Sequence, residues 1–156
     1  FKSGDSTVSS TLKKIETDKP FVQTIRFFYP DANGTQVKSV EKQVSFRTND
    51  ITRIVLAQAY RDALAGKNKV FPKNTRINSL YLNRDGMVYI DLNQAFVTEM
   101  NAGSGFESLI LQSVANTFGV YYGVERVYLT IDNKPYESGH IALKKGQYLM
   151  VVLDEA

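Results

Sequence analysis

No cysteine occurs among the 156 residues. That removes disulfides, thiolate zinc sites and cysteine nucleophiles at once. There is a single histidine, His140, so a Ser-His-Asp triad would have to be built on it. It sits in Glu137-Ser138-Gly139-His140-Ile141, a turn entering a strand, without the context of a nucleophile elbow. It reads as a surface histidine. Long apolar runs are missing too: the longest, residues 149–153, falls far short of the ~20 residues that span a bilayer. Neither charge sign dominates. Nineteen Lys and Arg face 16 Asp and Glu, a net +3, too small an excess to argue for nucleic acid. No arginine-aromatic pattern of an RNA-binding sheet is present, and the carboxylates do not follow EF-hand spacing.

What is present is enough for a core. The hydrophobic share is 43% and the aromatic share 12%, well above a disordered composition. The length fits one domain. Residues 1–20 are rich in Ser, Thr, Lys and Asp without a period and read as a leader or tether. Residues 21–156 read as a single domain. The chain does not begin with Met, which suggests a processed or trimmed N-terminus.

Residues 22–29 alternate, with Ile25, Phe27 and Tyr29 on one face and Phe28 on the other, and predict a strand. After the turn at 30–34, residues 36–46 predict an edge strand carrying Lys and Glu. Thr48-Asn49-Asp50 supplies N-cap chemistry for a helix reaching about Ala65 and closed by Gly66. Its buried line is expected to be Ile51, Val55, Ala59 and Ala63, flanked by Ile54 and Leu56. Ser104-Gly105-Phe106-Glu107 fits a capping box. The helix after it is predicted to stop at Gly119, with Phe106, Leu109, Ile110, Val114, Thr117 and Phe118 on one side. Residues 91–96 predict a short helical turn. Strands are expected around Val127, Leu129 and Ile131 and over 148–153.

Asp85-Gly86 between two alternating apolar runs is a strong hairpin signal, and its register can be settled on paper. A two-residue loop sets Leu80 opposite Asp91, a carboxylate among leucines. A three-residue loop, Arg84-Asp85-Gly86, sets Leu82 opposite Val88 and Leu80 opposite Ile90. That choice keeps one face apolar and puts Gly86 where a left-handed residue is wanted. The order β-β-α-β-β-α-β then predicts an α+β fold with two helices packed on one face of a mixed sheet.

An ordered set of segments resembles the GerMN family of sporulation and spore-germination modules. The set comprises Phe27-Phe28-Tyr29-Pro30-Asp31, Val88-Tyr89-Ile90-Asp91-Leu92-Asn93, Gly103-Ser104-Gly105-Phe106-Glu107, Asn116-Thr117-Phe118, Gly123-Val124-Glu125-Arg126-Val127 and Ile131-Asp132-Asn133. The likeness spans roughly residues 20–140. Asn133 stands where the family usually has Gly, and an apolar tail at 148–153 extends past the usual end. The resemblance implies a fold like the ring-building domains of sporulation machinery. It also implies a lipoprotein context, in which a signal and an acylated Cys would precede Phe1 and anchor an extracytoplasmic domain. No catalytic residue, cofactor or metal carries over. The expected partners are proteins of a cell-envelope complex, or peptidoglycan.

If the leucines face the helices, Tyr81 and Tyr89 point away as cross-strand neighbours, and alternation adds Phe28 and Tyr128 to that second face. Such a face is either a docking surface for protein or sugar or is covered by the tail strand or the leader. A basic cluster at Lys67, Lys69, Lys73 and Arg76 is either a solvated loop or a contact for anionic polymer, acidic lipid or an acidic partner. Gly103-Ser104-Gly105 lacks the Lys of a phosphate loop. Asp85, Asp91, Glu99, Glu107, Glu125 and Asp132 each fit a turn, a strand end or a cap better than an acid pair.

Overall fold

The computed structural model describes residues 20–153. Most of the leader assigned above, residues 1–19, and residues 154–156 lie outside the described residues. The elements are β1 (Phe21–Pro30), β2 (Val37–Phe46), α1 (Thr52–Ala63), a 3₁₀ turn (Gly66–Asn68), β3 (Ile77–Leu82), β4 (Met87–Leu92), α2 (Ala95–Thr98), α3 (Ser104–Tyr122), β5 (Arg126–Ile131), β6 (Lys134–Pro135) and β7 (Leu149–Met150). The fold is α+β. β1 and β2 form an antiparallel ribbon of their own, and β3-β4-β5-β6 form a mixed sheet that β7 joins through β5.

The hairpin has the register derived above: Leu80 pairs with Ile90, Tyr81 with Tyr89 and Leu82 with Val88. Asn83 N–H donates to the Met87 carbonyl at 2.9 Å, closing the loop, and Gly86 takes φ +83°. β4 and β5 are parallel, so the chain must cross over between them, and α2 and α3 make that crossing. On the inner face Val88, Ile90, Leu92, Val127, Leu129 and Ile131 are all buried, each worth about 1.5–3 kcal/mol before the entropy of ordering it.

α3 is the central element. It packs on β1 and also on β4, β5 and β7, and nearly every residue from Ile110 to Gly119 is buried, the signature of a helix enclosed on all sides. Its end differs from the expectation. Gly119 lies inside the helix, because only a residue without a side chain lets the tail approach: an added Cβ would sit 2.2 Å from Val151 Cγ2 and 3.1 Å from the Val124 carbonyl. The stop is Gly123, a left-handed C-cap at φ +71°.

The start of α3 also needs correction. The N-cap is Gly103, without a side-chain cap, so Ser104 and Glu107 form no capping box. Glu107 turns inward instead and is 1% exposed.

α1 begins at Thr52 with Ile51 as an N-cap that makes no side-chain bond. Asp50 accepts from Arg47 N–H and caps nothing. α1's fully buried residues are Leu56, Ala57 and Tyr60; of the predicted line, Val55, Ala59 and Ala63 pack half-buried against the core, while Ile51 and the flanking Ile54 are 52% and 53% exposed. The helix rotates to seat Tyr60, whose ring lies 4.8 Å from Phe71 and 5.2 Å from Phe27. One large aromatic outweighs the small side chains of the competing stripe.

Candidate functional site

The outer face of β3, β4 and β5 is ordered in rows by strand register. Tyr81 pairs with Tyr89 and Tyr89 with Tyr128, giving a line of three rings. Tyr81 and Tyr89 stack at 5.3 Å with planes 13° apart, and Tyr89 meets Tyr128 edge-on at 5.2 Å. The next row is polar: Ser79 pairs with Asp91 and Asp91 with Thr130. Where the rows meet, Ser79, Tyr81, Tyr89, Asp91, Tyr128, Thr130 and Asn133 line a pit of about 210 Å³.

Local bonds hold the rows in place. Tyr89 donates to the Asp85 carboxylate at 2.6 Å, and Met87 N–H donates to the same group. The Tyr89 bond, first, and the Met87 bond hold the Asp85 carboxyl below its usual range. The same hydrogen bond pushes the Tyr89 hydroxyl up. Arg126 donates to the Asp85 carbonyl at 2.6 Å, and its guanidinium lies 5.6 Å from the Tyr148 ring centre. Asp91 is 4% exposed. It accepts from Asn78 Nδ2, Thr130 Oγ1 and Asn133 N–H, so a buried charge is paid in hydrogen bonds.

The tail does not seal this face. β7 pairs with Arg126 and Val127 along the β5 edge, while Asn116 on α3 exchanges bonds with the Val152 backbone. Tyr81 stays 48% exposed. Among the described residues, the only bond from the 136–148 loop to the tyrosine row runs from Gly146 N–H to the Tyr128 hydroxyl.

Phe28 is not part of the face. β1 belongs to the separate ribbon, and Phe28 is buried at 3% exposure beneath the Arg26 guanidinium, 4.7 Å from its ring centre. Alternation along one strand gave its side correctly relative to Phe27 but could not reveal that the strand joins a different sheet. The basic cluster is also apart. Lys67 lies in the 3₁₀ turn. Lys69 borders a cavity with Ala32, Met100, Phe106 and Ile110, and Lys73 and Arg76 are exposed. Lys69, Lys73 and Arg76 do not line the pit below the tyrosines.

A second polar cluster escaped sequence reasoning. Tyr136 donates to buried Glu107 at 2.5 Å, and His140 Nδ1 lies 3.4 Å from the other carboxylate oxygen. Burial, then the Glu107 bond, pushes the Tyr136 hydroxyl well above the usual phenol range. His140 is 56% exposed, as expected of a surface histidine. The Ser138 hydroxyl accepts from His140 and Ile141 N–H groups, so it shapes the turn rather than facing the imidazole as a nucleophile would. The available signal was Glu107 standing one helical turn from Ile110 and Leu111, on the apolar side. Among the described residues no three His, Cys, Asp or Glu side chains converge to hold a metal, and no helix is long and apolar enough to cross a membrane.

Comparison with known proteins bears on this geometry. No curated protein matches the chain. The first GerMN domain of the sporulation protein GerM from Bacillus subtilis superposes with a TM-score of 0.53 at 21% identity, covering 75% of this chain and 89% of that one. The tandem GerMN domains of the same protein give 0.52 at 18% identity, covering 74% of this chain and 40% of that one. These likenesses establish a shared fold. The family model for Germane, described as sporulation and spore germination, matches residues 26–137. The chain therefore belongs to the Germane, or GerMN-domain, family of sporulation and spore-germination proteins.

Proposed function

We propose that this chain is a non-catalytic binding and assembly module of the cell envelope, acting outside the cytoplasm in sporulation or spore germination. Its contact surface is the row Tyr81, Tyr89 and Tyr128. Membership of a sporulation and germination family supports the setting. One observation carries the surface: three aromatic rings held in register on a sheet face that the described chain leaves open. Tyrosines combine a broad apolar face with a polar tip and are favoured where a surface must be wet when free and dry when bound. Its attachment to the membrane is a lipid anchor outside the domain, and its partners are components of an envelope complex.

The test is the double substitution Tyr81→Ala with Tyr89→Ala. Both positions are on the outer face, so the fold should persist, with unchanged circular dichroism and a modest drop in Tm. In sporulating cells the variant should fail to concentrate at the envelope around the developing spore. A folded variant that localises like the parent would rule out this surface.

A further inference from the structure

We propose that the ligand of the tyrosine face is an uncharged glycan strand laid across β3, β4 and β5; this rests on the docking reading above and names its ligand class. Several hydroxyls on this face keep hydrogen-bonding capacity to spare. Ser79 Oγ and the Tyr81 hydroxyl make no hydrogen bond among the described residues, so each can both donate and accept. Tyr128 accepts from Gly146 and keeps its proton to donate. Tyr89 and Thr130 spend their protons on Asp85 and Asp91 and keep lone pairs to accept. Spare donors and acceptors therefore line one pit, as a ligand of closely spaced hydroxyl and acetamido groups requires.

Charge selects the same class. The Asp85 and Asp91 carboxylates are each engaged by neighbouring donors, and Arg126 is committed to the Asp85 carbonyl and the Tyr148 ring. Among the described residues the pit's one charged lining group is the Asp91 carboxylate, 4% exposed and held on both oxygens by neutral donors, so it gives a basic peptide little surface to pair with and an acidic peptide none. Apart from Met87, the outward side chains of β4 and β5 all carry polar tips: Tyr89 and Asp91, then Arg126, Tyr128 and Thr130. The aromatic row offers its surface to the C–H face of a sugar ring, while Ser79 and Thr130 stand one register step away to meet its hydroxyls. The pit of about 210 Å³ is lined by that polar row, Asn133 and the three tyrosines, with Ile90 its one aliphatic residue, a poor socket for the aliphatic anchor of a protein partner.

The experiment is co-sedimentation with peptidoglycan sacculi stripped of their phosphate polymers, with soluble N-acetylglucosamine oligomers as competitor. Pelleting should survive about 0.5 M salt, because no charge pair carries it, and the oligomers should reverse it. Tyr81→Ala should weaken binding about tenfold or more, Ser79→Ala a few-fold, and Lys69→Ala with Lys73→Ala not at all. Absence of pelleting, loss of pelleting in salt, or a need for wall phosphate overturns the glycan assignment. If glycan is not bound yet the double tyrosine variant still mislocalises in cells, the face docks protein and only the ligand class is wrong. If that variant localises normally, the docking reading itself is wrong.

Discussion

Tyr60 on α1 donates its hydroxyl proton to the Phe28 carbonyl on β1 at 2.6 Å. Thr117 on α3 closes the loop of bonds: it donates to Tyr60 Oη at 3.0 Å and accepts from Phe28 N–H at 2.9 Å. Three elements meet at this triangle, and all of it is buried. It ties the β1–β2 ribbon to both long helices, a link that apolar contact alone would leave free to slide. Burial pushes the Tyr60 hydroxyl far above its usual range, so it is a donor at any working pH.

Tyr60→Phe keeps the ring contacts and deletes the hydroxyl. It leaves the Phe28 carbonyl buried without that donor, and should destabilise by about 1–3 kcal/mol. Thr117→Val should lie in the same range. Because both break one network, the double variant should lose clearly less than the sum. Urea unfolding midpoints read both quantities, and simple additivity would show that the triangle does not act as a unit.

Glu107 and Ser104 separate two accounts of the α3 start. A capping box would make Ser104→Ala expensive. The observed geometry makes it nearly silent, within about 0.5 kcal/mol. Glu107→Ala should instead lose about 1–3 kcal/mol, since it strands the buried Tyr136 hydroxyl. Glu107→Gln, which can still accept from Tyr136, should recover part of that. Thermal unfolding of the three variants decides the matter.

Gly119→Ala introduces a methyl into space held by Val151 Cγ2 and the Val124 carbonyl. The expected loss is about 1–3 kcal/mol, with the tail at 149–153 released from α3. Adding Val151→Ala should restore part of the stability, because only one of the two obstructions is a side chain. Faster amide exchange at Val151, whose N–H is bonded to the Glu125 carbonyl, would report the release.

Acid should destabilise the domain through two turn carboxylates. Hydrogen bonds from the Thr35 hydroxyl and N–H hold Asp31 below its ordinary 3.8, and Tyr89 does the same for Asp85. A carboxyl depressed in the folded state contributes stability that is present above its unfolded value and lost as pH falls through the folded one. Tm should therefore drop below about pH 4. Asp31→Asn should be less stable than the parent near neutrality and flatten that drop. An unchanged acid profile would remove Asp31 from the account.

The β6 turn checks the departure from the family pattern. Asp132 and Asn133 adopt φ of +47° and +67°, the left-handed pair of a two-residue hairpin. Asn tolerates that region, and its N–H serves Asp91. Asn133→Gly should change stability by less than about 1 kcal/mol. Asn133→Val should lose roughly 1–3 kcal/mol, read by the same thermal scan.

Local chemistry was readable residue by residue. The Arg84-Asp85-Gly86 loop, the Tyr81–Tyr89 pairing and the short α2 turn follow from alternation and turn geometry, which act over a few residues, whereas Tyr128 comes to lie beside Tyr89 only through the parallel β4–β5 pairing. The sequence determined a two-faced hairpin and the aromatic character of its outer side. Tertiary structure decided the rest. It set β1 in a ribbon apart from the sheet, which buried Phe28, and it turned α1 to seat Tyr60, which left Ile51 and Ile54 exposed. It also drew Glu107 inward to Tyr136 and made Gly119 a point of contact rather than a stop. Each of these outcomes depends on a partner far away in the chain, whose position no local period encodes: burial and close approach are properties of pairs of elements, not of either one alone.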